Sequence, residues 1–443
     1  MSIEHWMMFS TFAEQRYFTH PSKDTYTGVL LNANMVAHAP DGLAAFVLEK
    51  TSNQTYIIDP LTHAFQHSPE FYSDADGKPK SSIKKLADFY GEPIATILGE
   101  RALSPLDFAN DAVLQRFVTN CIEFQKNELA TIMRASDSMK YFPESAKNQL
   151  APYAVLAPYF YLTETTYVPW LEVMVRAGKI ARKEYSGHKL FASIVISKGI
   201  ILKEEIYTDI ASKLSEVGFD GYCLWVDSFD EKNASGTELK GFLGIARLLR
   251  KNDRSVINLH GGYFSVLAAG KLGAASLTGV VHAPEFGELR AVVPVGGGIP
   301  IARYYIPSLH ARIKYKDTVR FFQKKNWLNN EKVFYANVCD CPECKDVIGA
   351  NIENFTKFGE SEIKLIQRGA RGVRISYPIA ETKIHCLKHY LNRKAKEYNF
   401  SATASESDIL ADLRAGHDEF KTILGDDGVA YLKLWEQVLT GKI

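Results

Sequence analysis

Cys339-Asp340-Cys341-Pro342-Glu343-Cys344 holds three of the chain's six cysteines in six residues. The spacing, C-x-C-x2-C, suits thiolates gathered on one metal ion, and Pro342 stiffens the turn between the second and third sulfurs. A Zn²⁺ ion takes four tetrahedral sulfur and nitrogen ligands, so three cysteines leave one vertex to fill. His385 and His389 lie four residues apart in Ile384-His385-Cys386-Leu387-Lys388-His389. On a helix both would share one face, and either could supply the fourth ligand. Cys386 competes for the role but points to a different face.

A second set of residues could carry acid–base or nucleophilic chemistry. Asp59, Asp227 and His260 each close an apolar run, at the end of Tyr56-Ile57-Ile58, Leu224-Trp225-Val226 and Ile257-Asn258-Leu259. Two carboxylates can serve as nucleophile and acid/base at a glycosidic bond, and an imidazole can move protons near neutral pH. Gly261 and Gly262 follow His260 and would let backbone approach a ligand closely. Farther on, Gly296-Gly297-Gly298 offers a lid or a phosphate-approaching loop, after Glu285-Phe286-Gly287-Glu288. Arg303 beside Tyr304 would suit a phosphate and a stacked base.

The elements that must position these residues are strands alternating with helices. Branched apolar runs at 29–35, 55–58, 153–159, 190–196, 222–227, 255–262, 275–282 and 333–337 read as eight strands. Helical patterns separate most of them, which predicts parallel βαβ units. The runs are apolar on both alternations, as strands covered on both faces are. With no G-x-G-x-x-G after the first strand, the expected α/β fold is a (β/α)8 TIM barrel whose chemistry sits at the C-terminal strand ends. Residues 1–80 supply its first strands, 81–150 a helical insertion, 151–335 the rest, 336–400 a zinc-binding subdomain, and 401–443 C-terminal helices.

The 443 residues carry a formal net charge of +1, so the chain has no global field to attract nucleic acid. A nucleic-acid partner would need a local basic face, and basic clusters recur at 247–254, 312–316, 368–374 and 388–396. Six cysteines, half of them in one cluster, argue against a disulfide scaffold. No signal peptide opens the sequence and no apolar run reaches a membrane span, so a cytoplasmic protein with no membrane partner is expected.

Taken together, the barrel pattern, the C-x-C-x2-C and the helix Lys383-Ile384-His385-Cys386-Leu387-Lys388-His389-Tyr390-Leu391 resemble the tRNA-guanine transglycosylase superfamily. Glu216-Val217-Gly218-Phe219-Asp220-Gly221-Tyr222 is similar to that family's "I-G-F-D-G-Y". Ile194-Val195-Ile196-Ser197-Lys198-Gly199 resembles its base-recognition "I-V-Q-G-G", and Asp59 with Phe65-Gln66 echoes its "L-x-D-S-G-G-F-Q". The resemblance implies a structural zinc site of Cys339, Cys341, Cys344 and His385, with His389 as fallback. It implies exchange of a guanine in tRNA or DNA for a 7-deazaguanine, with Phe65 and Gly199 near the base, in a homodimer or larger assembly. It puts Thr278 where the family carries its nucleophilic aspartate, which leaves Asp59 and Asp227 as the carboxylates for the reaction. The alternative is a nucleic-acid-binding subunit that keeps the barrel and the zinc but not the chemistry.

Overall fold

The computed structural model describes residues 2–18, 26–50, 54–136, 150–283, 288–293, 301–368 and 371–443. Its contacts divide the chain into two compact units, one of 3–18 with 26–294, the other chiefly 295–443.

The first unit is an α/β fold built on nine parallel strands. They are β1 (Glu4–Phe9), β2 (Gly28–Asn32), β3 (Thr55–Asp59), β4 (Val155–Ala157), β5 (Tyr161–Leu162), β6 (Leu190–Ile196), β7 (Gly221–Val226), β8 (Ser255–Asn258) and β9 (Gly279–His282). The order is β3-β2-β1-β9-β8-β7-β6-β4, with two-residue β5 also on β6. The first and last strands of that order nearly meet, since Tyr153 N–H donates to the Tyr56 carbonyl at 2.7 Å. The result is a nearly closed barrel of eight parallel strands. β2, β6, β7 and β9 are buried at every residue, as continuous apolar strands covered on both faces must be.

Two expectations about strands are corrected. Val333–Asn337 is not the eighth strand but part of a helix, Glu331–Asn337. Asn330 starts it by accepting the Val333 N–H at 3.0 Å, a cap that overrides the strand preference of Val-Phe-Tyr. The missing strand is β1, at the start of the chain, which pairs with both β2 and β9. Its Glu-His-Trp-Met-Met-Phe has no β-branched residue, and only Trp6 and Phe9 favour a strand, a weak signal for six residues. The run at 29–35 also divides, with β2 stopping at Asn32 and helix Ala33–His38 taking over.

Between β3 and β4 the described residues form the helices Ser81–Tyr90, Ile94–Ile97 and Asp111–Ala135. Asn110 Oδ1 caps the long helix by accepting the Ala112 N–H at 2.9 Å. Among the described residues no helix is long and apolar enough to cross a membrane.

The second unit holds an antiparallel pair, β10 (Arg303–Ile306) with β11 (Ala311–Lys314), and a two-stranded ribbon, β12 (Ser361–Arg368) with β13 (Arg371–Pro378). Helices Pro342–Ile348, Ala380–Thr403 and Glu406–Leu439 complete its frame.

Candidate metal centre and candidate active site

The second unit contains the cysteine cluster. Cys341 caps the helix Pro342–Ile348, its sulfur accepting the Cys344 N–H at 3.5 Å, while Cys341 N–H donates to Cys339 Sγ at 3.4 Å. The fourth member is His389, and the ligand atoms of Cys339, Cys341, Cys344 and His389 all lie within 4.8 Å of one another. His389 Nδ1 is 3.4 Å from Cys341 Sγ and 3.3 Å from Cys344 Sγ. A tetrahedral ion with bonds of roughly 2.3 Å to sulfur and 2.05 Å to nitrogen needs S···N edges near 3.5 Å, so the cradle fits. His389 Nε2 donates to the Tyr305 carbonyl at 2.7 Å. That bond fixes the tautomer and leaves the Nδ1 lone pair aimed at the sulfurs. The cluster could therefore hold a metal ion, with all four residues buried and no position left open for a substrate.

This corrects the choice of histidine. His385 does not reach the sulfurs; its Nδ1 pairs with Glu343 Oε1 at 2.6 Å, on the half-buried rim of the same helix face. Cys386 is outside the cluster too, donating to the Phe358 carbonyl at 3.2 Å. Tyr304, expected to stack on a base, is wholly buried. Its ring stacks on His389 at 4.1 Å and its hydroxyl meets Cys344 Sγ at 3.2 Å, so it belongs to the metal centre. Arg303, at the start of β10, is exposed.

The first unit gathers its polar residues at the C-terminal ends of its strands. Asp59 ends β3, 2% exposed, and accepts from Tyr159 Oη at 2.6 Å and from Leu61 N–H at 3.1 Å. Leu61 reaches it from a left-handed backbone conformation (φ 53°), a local strain spent on aiming that N–H. Burial pushes the Asp59 pKa up, while Tyr159, the Leu61 N–H and the nearby Arg290 guanidinium pull it back. Tyr159 Oη also contacts His63 Nδ1 at 3.0 Å. Burial, His67 and Arg290 hold His63 down at about 3, so this imidazole is neutral and its Nδ1–H donates to the tyrosine oxygen. The His63 ring meets Trp225 edge-on at 5.3 Å, and Trp225 meets His260 at 4.7 Å. Burial and Arg290 likewise keep His260 neutral, its pKa far below the ordinary imidazole value.

Asp227 sits just past β7 and is saturated. Tyr161 Oη donates to Oδ2 at 2.8 Å, and Ser228 Oγ and Val292 N–H donate to Oδ1, each at 2.9 Å. Ser228 N–H and Trp225 Nε1 donate to the Arg290 carbonyl at 3.0 and 3.2 Å. Asp227 thus works with its neighbours to hold 288–293 in place, and with it Arg290. That is a positioning task, and the residue has little accepting capacity to spare.

Glu231, in the loop after β7, went unnoticed in the sequence. It is 5% exposed and accepts from Ser265 N–H at 3.2 Å and Ser265 Oγ at 2.5 Å. Burial lifts its pKa to about 7, with Glu288 pushing the same way against the bonds from Ser265 and Gly262. A side chain on Gly262 would come within 2.9 Å of both the Glu231 and the Glu288 carboxylates, which is why a glycine stands there. Tyr159 and Arg290 were missed as well. Neither has a local signal: the first lies 100 residues from Asp59, and the second sits in a loop with no motif.

The remaining expected residues fall elsewhere. Phe65 is core, tilted against Tyr72 and edge-on to Tyr90. Gly199 lies under the Glu164 side chain, which Ser197 Oγ anchors at 2.6 Å. Gly261 is hemmed in by Val280, Asn258 and Ser265. Thr278 stands at the opposite end of the barrel from Asp59, just before β9, where its Oγ1 takes the Val256 N–H at 3.0 Å. A residue there cannot act at the C-terminal rim, so Thr278 does not hold a lost nucleophile's place; His282 is the residue that ends β9 at the rim. The basic stretch 247–254 is also at the N-terminal end, with Arg254 bonded to Tyr222 Oη at 2.8 Å. Glu285–Gly287 and the run 296–298 lie outside the described residues.

No model of a known protein family matches this chain, and no curated protein matches it either.

Proposed function

We propose that the chain is a base-exchange transglycosylase acting on a guanine in a nucleic acid, tRNA or DNA, on a (β/α)8 barrel with a structural zinc ion. The strands follow one another in chain order around the sheet, which supports the TIM-barrel reading. Three sulfurs and one imidazole suit zinc best among common ions, and Cys339, Cys341, Cys344 and His389 would hold it. Its chemistry there is structural: it ties the cluster together and takes no part in the reaction.

The reaction reading rests on one observation. A buried, donor-fixed carboxylate, Asp59, shares its strand-end rim with a second carboxyl, Glu231, that stays half protonated near neutral pH. Glycosidic chemistry needs such a pair with separated roles. Asp59 would attack the sugar C1′; a C1′–O bond forms as the C1′–N bond breaks, and the electron pair leaves with guanine. Glu231 would give that base a proton, then take one from the incoming 7-deazaguanine as it displaces Asp59. Arg290, His63 and His260 would stack on or hydrogen-bond the base and its sugar phosphate. Asp227 would position Arg290.

A second reading, a non-catalytic nucleic-acid-binding subunit, draws on the same burial, since a raised pKa makes Asp59 harder to ionise. One experiment divides them. The protein is incubated with guanine-containing tRNA or DNA and radiolabelled guanine. Incorporation that Asp59→Ala abolishes supports the enzyme; binding without incorporation on either substrate supports the subunit.

A further inference from the structure

The ribbon β12–β13 has no place in the metal centre, and its surface is unusual. Its strands of eight residues each pair along their whole length, from Ser361 opposite Pro378 to Arg368 opposite Arg371. One face presents Ile363 opposite Ser376 and Leu365 opposite Arg374, with Ile363 and Leu365 each 68% exposed. On the other face Ile375 is buried and Val373 is 42% exposed. Isolated two-stranded ribbons are marginal in water, and exposed branched side chains on one carry an aggregation risk. A ribbon kept in that state is explained by something that covers it.

The charge of the arm says what. From Ser361 to Pro378 the sequence has Lys364, Arg368, Arg371 and Arg374 against Glu362 alone. Lys364 Nζ is 2.9 Å from Glu362 Oε1, an exposed pair that a phosphate can compete for, and Arg374 is exposed. Eight residues at about 3.4 Å make an arm roughly 27 Å long, and two strands about 4.8 Å apart enter a major groove about 12 Å wide. An arm that inserts in a bilayer carries its apolar residues at the tip. Here the last pair of the ribbon is Arg368 opposite Arg371, and the exposed Ile363 and Leu365 lie midway along it.

We infer that β12–β13 is a nucleic-acid-docking arm whose face of Ile363, Leu365 and Arg374 enters the groove, with Arg374 on a phosphate and Ile363 and Leu365 against sugars and base edges, while Lys364, opposite Ile375 on the other face, meets phosphates at the groove's lip. This rests on the nucleic-acid reading above and adds the contact surface. The test measures binding of the full-length protein to a fluorescein-labelled DNA duplex of about 30 bp and to a labelled tRNA, between about 50 and 200 mM salt. Zinc content is checked first to show that each variant is folded. The double variant Lys364→Ala/Arg374→Ala is expected to bind roughly ten- to thirty-fold more weakly at about 0.15 M salt, with a log–log salt slope smaller by about two. Ile363→Ser/Leu365→Ser is expected to weaken binding with the slope unchanged. If the charge variant binds with wild-type affinity and slope, the arm is overturned while base exchange still stands. If wild-type protein binds neither probe, both fall. If the charge variant loses only binding to phosphatidylserine vesicles, the arm belongs to a membrane and the inference is overturned.

Discussion

The metal centre and the barrel rim bury polar groups in opposite ways. Around the cysteines every ligand atom faces another ligand atom, and two bonds support them from outside: His389 Nε2 donates to the Tyr305 carbonyl, and the Tyr304 hydroxyl meets Cys344 Sγ. At the rim the polar groups are each held by separate neighbours, Asp59 by Tyr159 and Leu61 and Glu231 by Ser265, and burial pushes the pKa values of both carboxyls up and those of His63 and His260 down. A closed cluster spends burial on stability. The rim holds two carboxyls and two neutral imidazoles away from their ordinary pKa values, a pattern common at functional sites and also found in structural polar networks.

Removing a metal ligand is the severest way to test that contrast. Cys341→Ser or His389→Ala should lose stoichiometric zinc and unfold the second unit, because on the order of 10 kcal/mol of metal-binding free energy is folding free energy in such sites. His385→Ala should keep its zinc, and metal analysis of the three purified variants decides the point. Asp59→Asn should lower base exchange by roughly 10⁴-fold while zinc content stays whole. If exchange survives, the rim is not the active site.

Glu231→Gln gives a pH signature. The folded pKa of Glu231 lies above its ordinary 4.5, at about 7, so its protonated form is the one the fold favours. The stability it contributes is complete below about pH 4.5 and is lost as pH rises through 7. Chemical denaturation should therefore find Glu231→Gln gaining on wild type over that window, by on the order of 3 kcal/mol at pH 8. The same variant should lose the activity limb near pH 7. Asp227→Asn is the mildest change, since an amide keeps most of the shape: exchange should fall about tenfold through misplacement of Arg290. A loss as large as that of Asp59→Asn would return Asp227 to the chemistry.

Much of this was legible in the sequence, and the failures have physical causes. The cysteine spacing gave the metal cradle because thiolate geometry is local. It could not choose between His385 and His389, which share a helix face and differ only in height along it. Asp59 was visible because Pro60 stops its strand. Tyr159, its main donor, comes from another strand end, and no spacing reports that contact. Glu231 has no local signal, because Ser265 and Gly262, which close over it, come from beyond β8. β1 escaped notice because its neighbours on both sides, rather than its own composition, make it a strand.

That first strand has a consequence for how the protein is made. One of the two edges of β1 belongs to β9, far along the chain, with Glu4 opposite Gly279. During synthesis that edge stays open until nearly the whole first unit has emerged. The growing chain therefore carries an unpaired, apolar strand edge until that unit is nearly complete, the kind of surface on which aggregation and chaperone binding act.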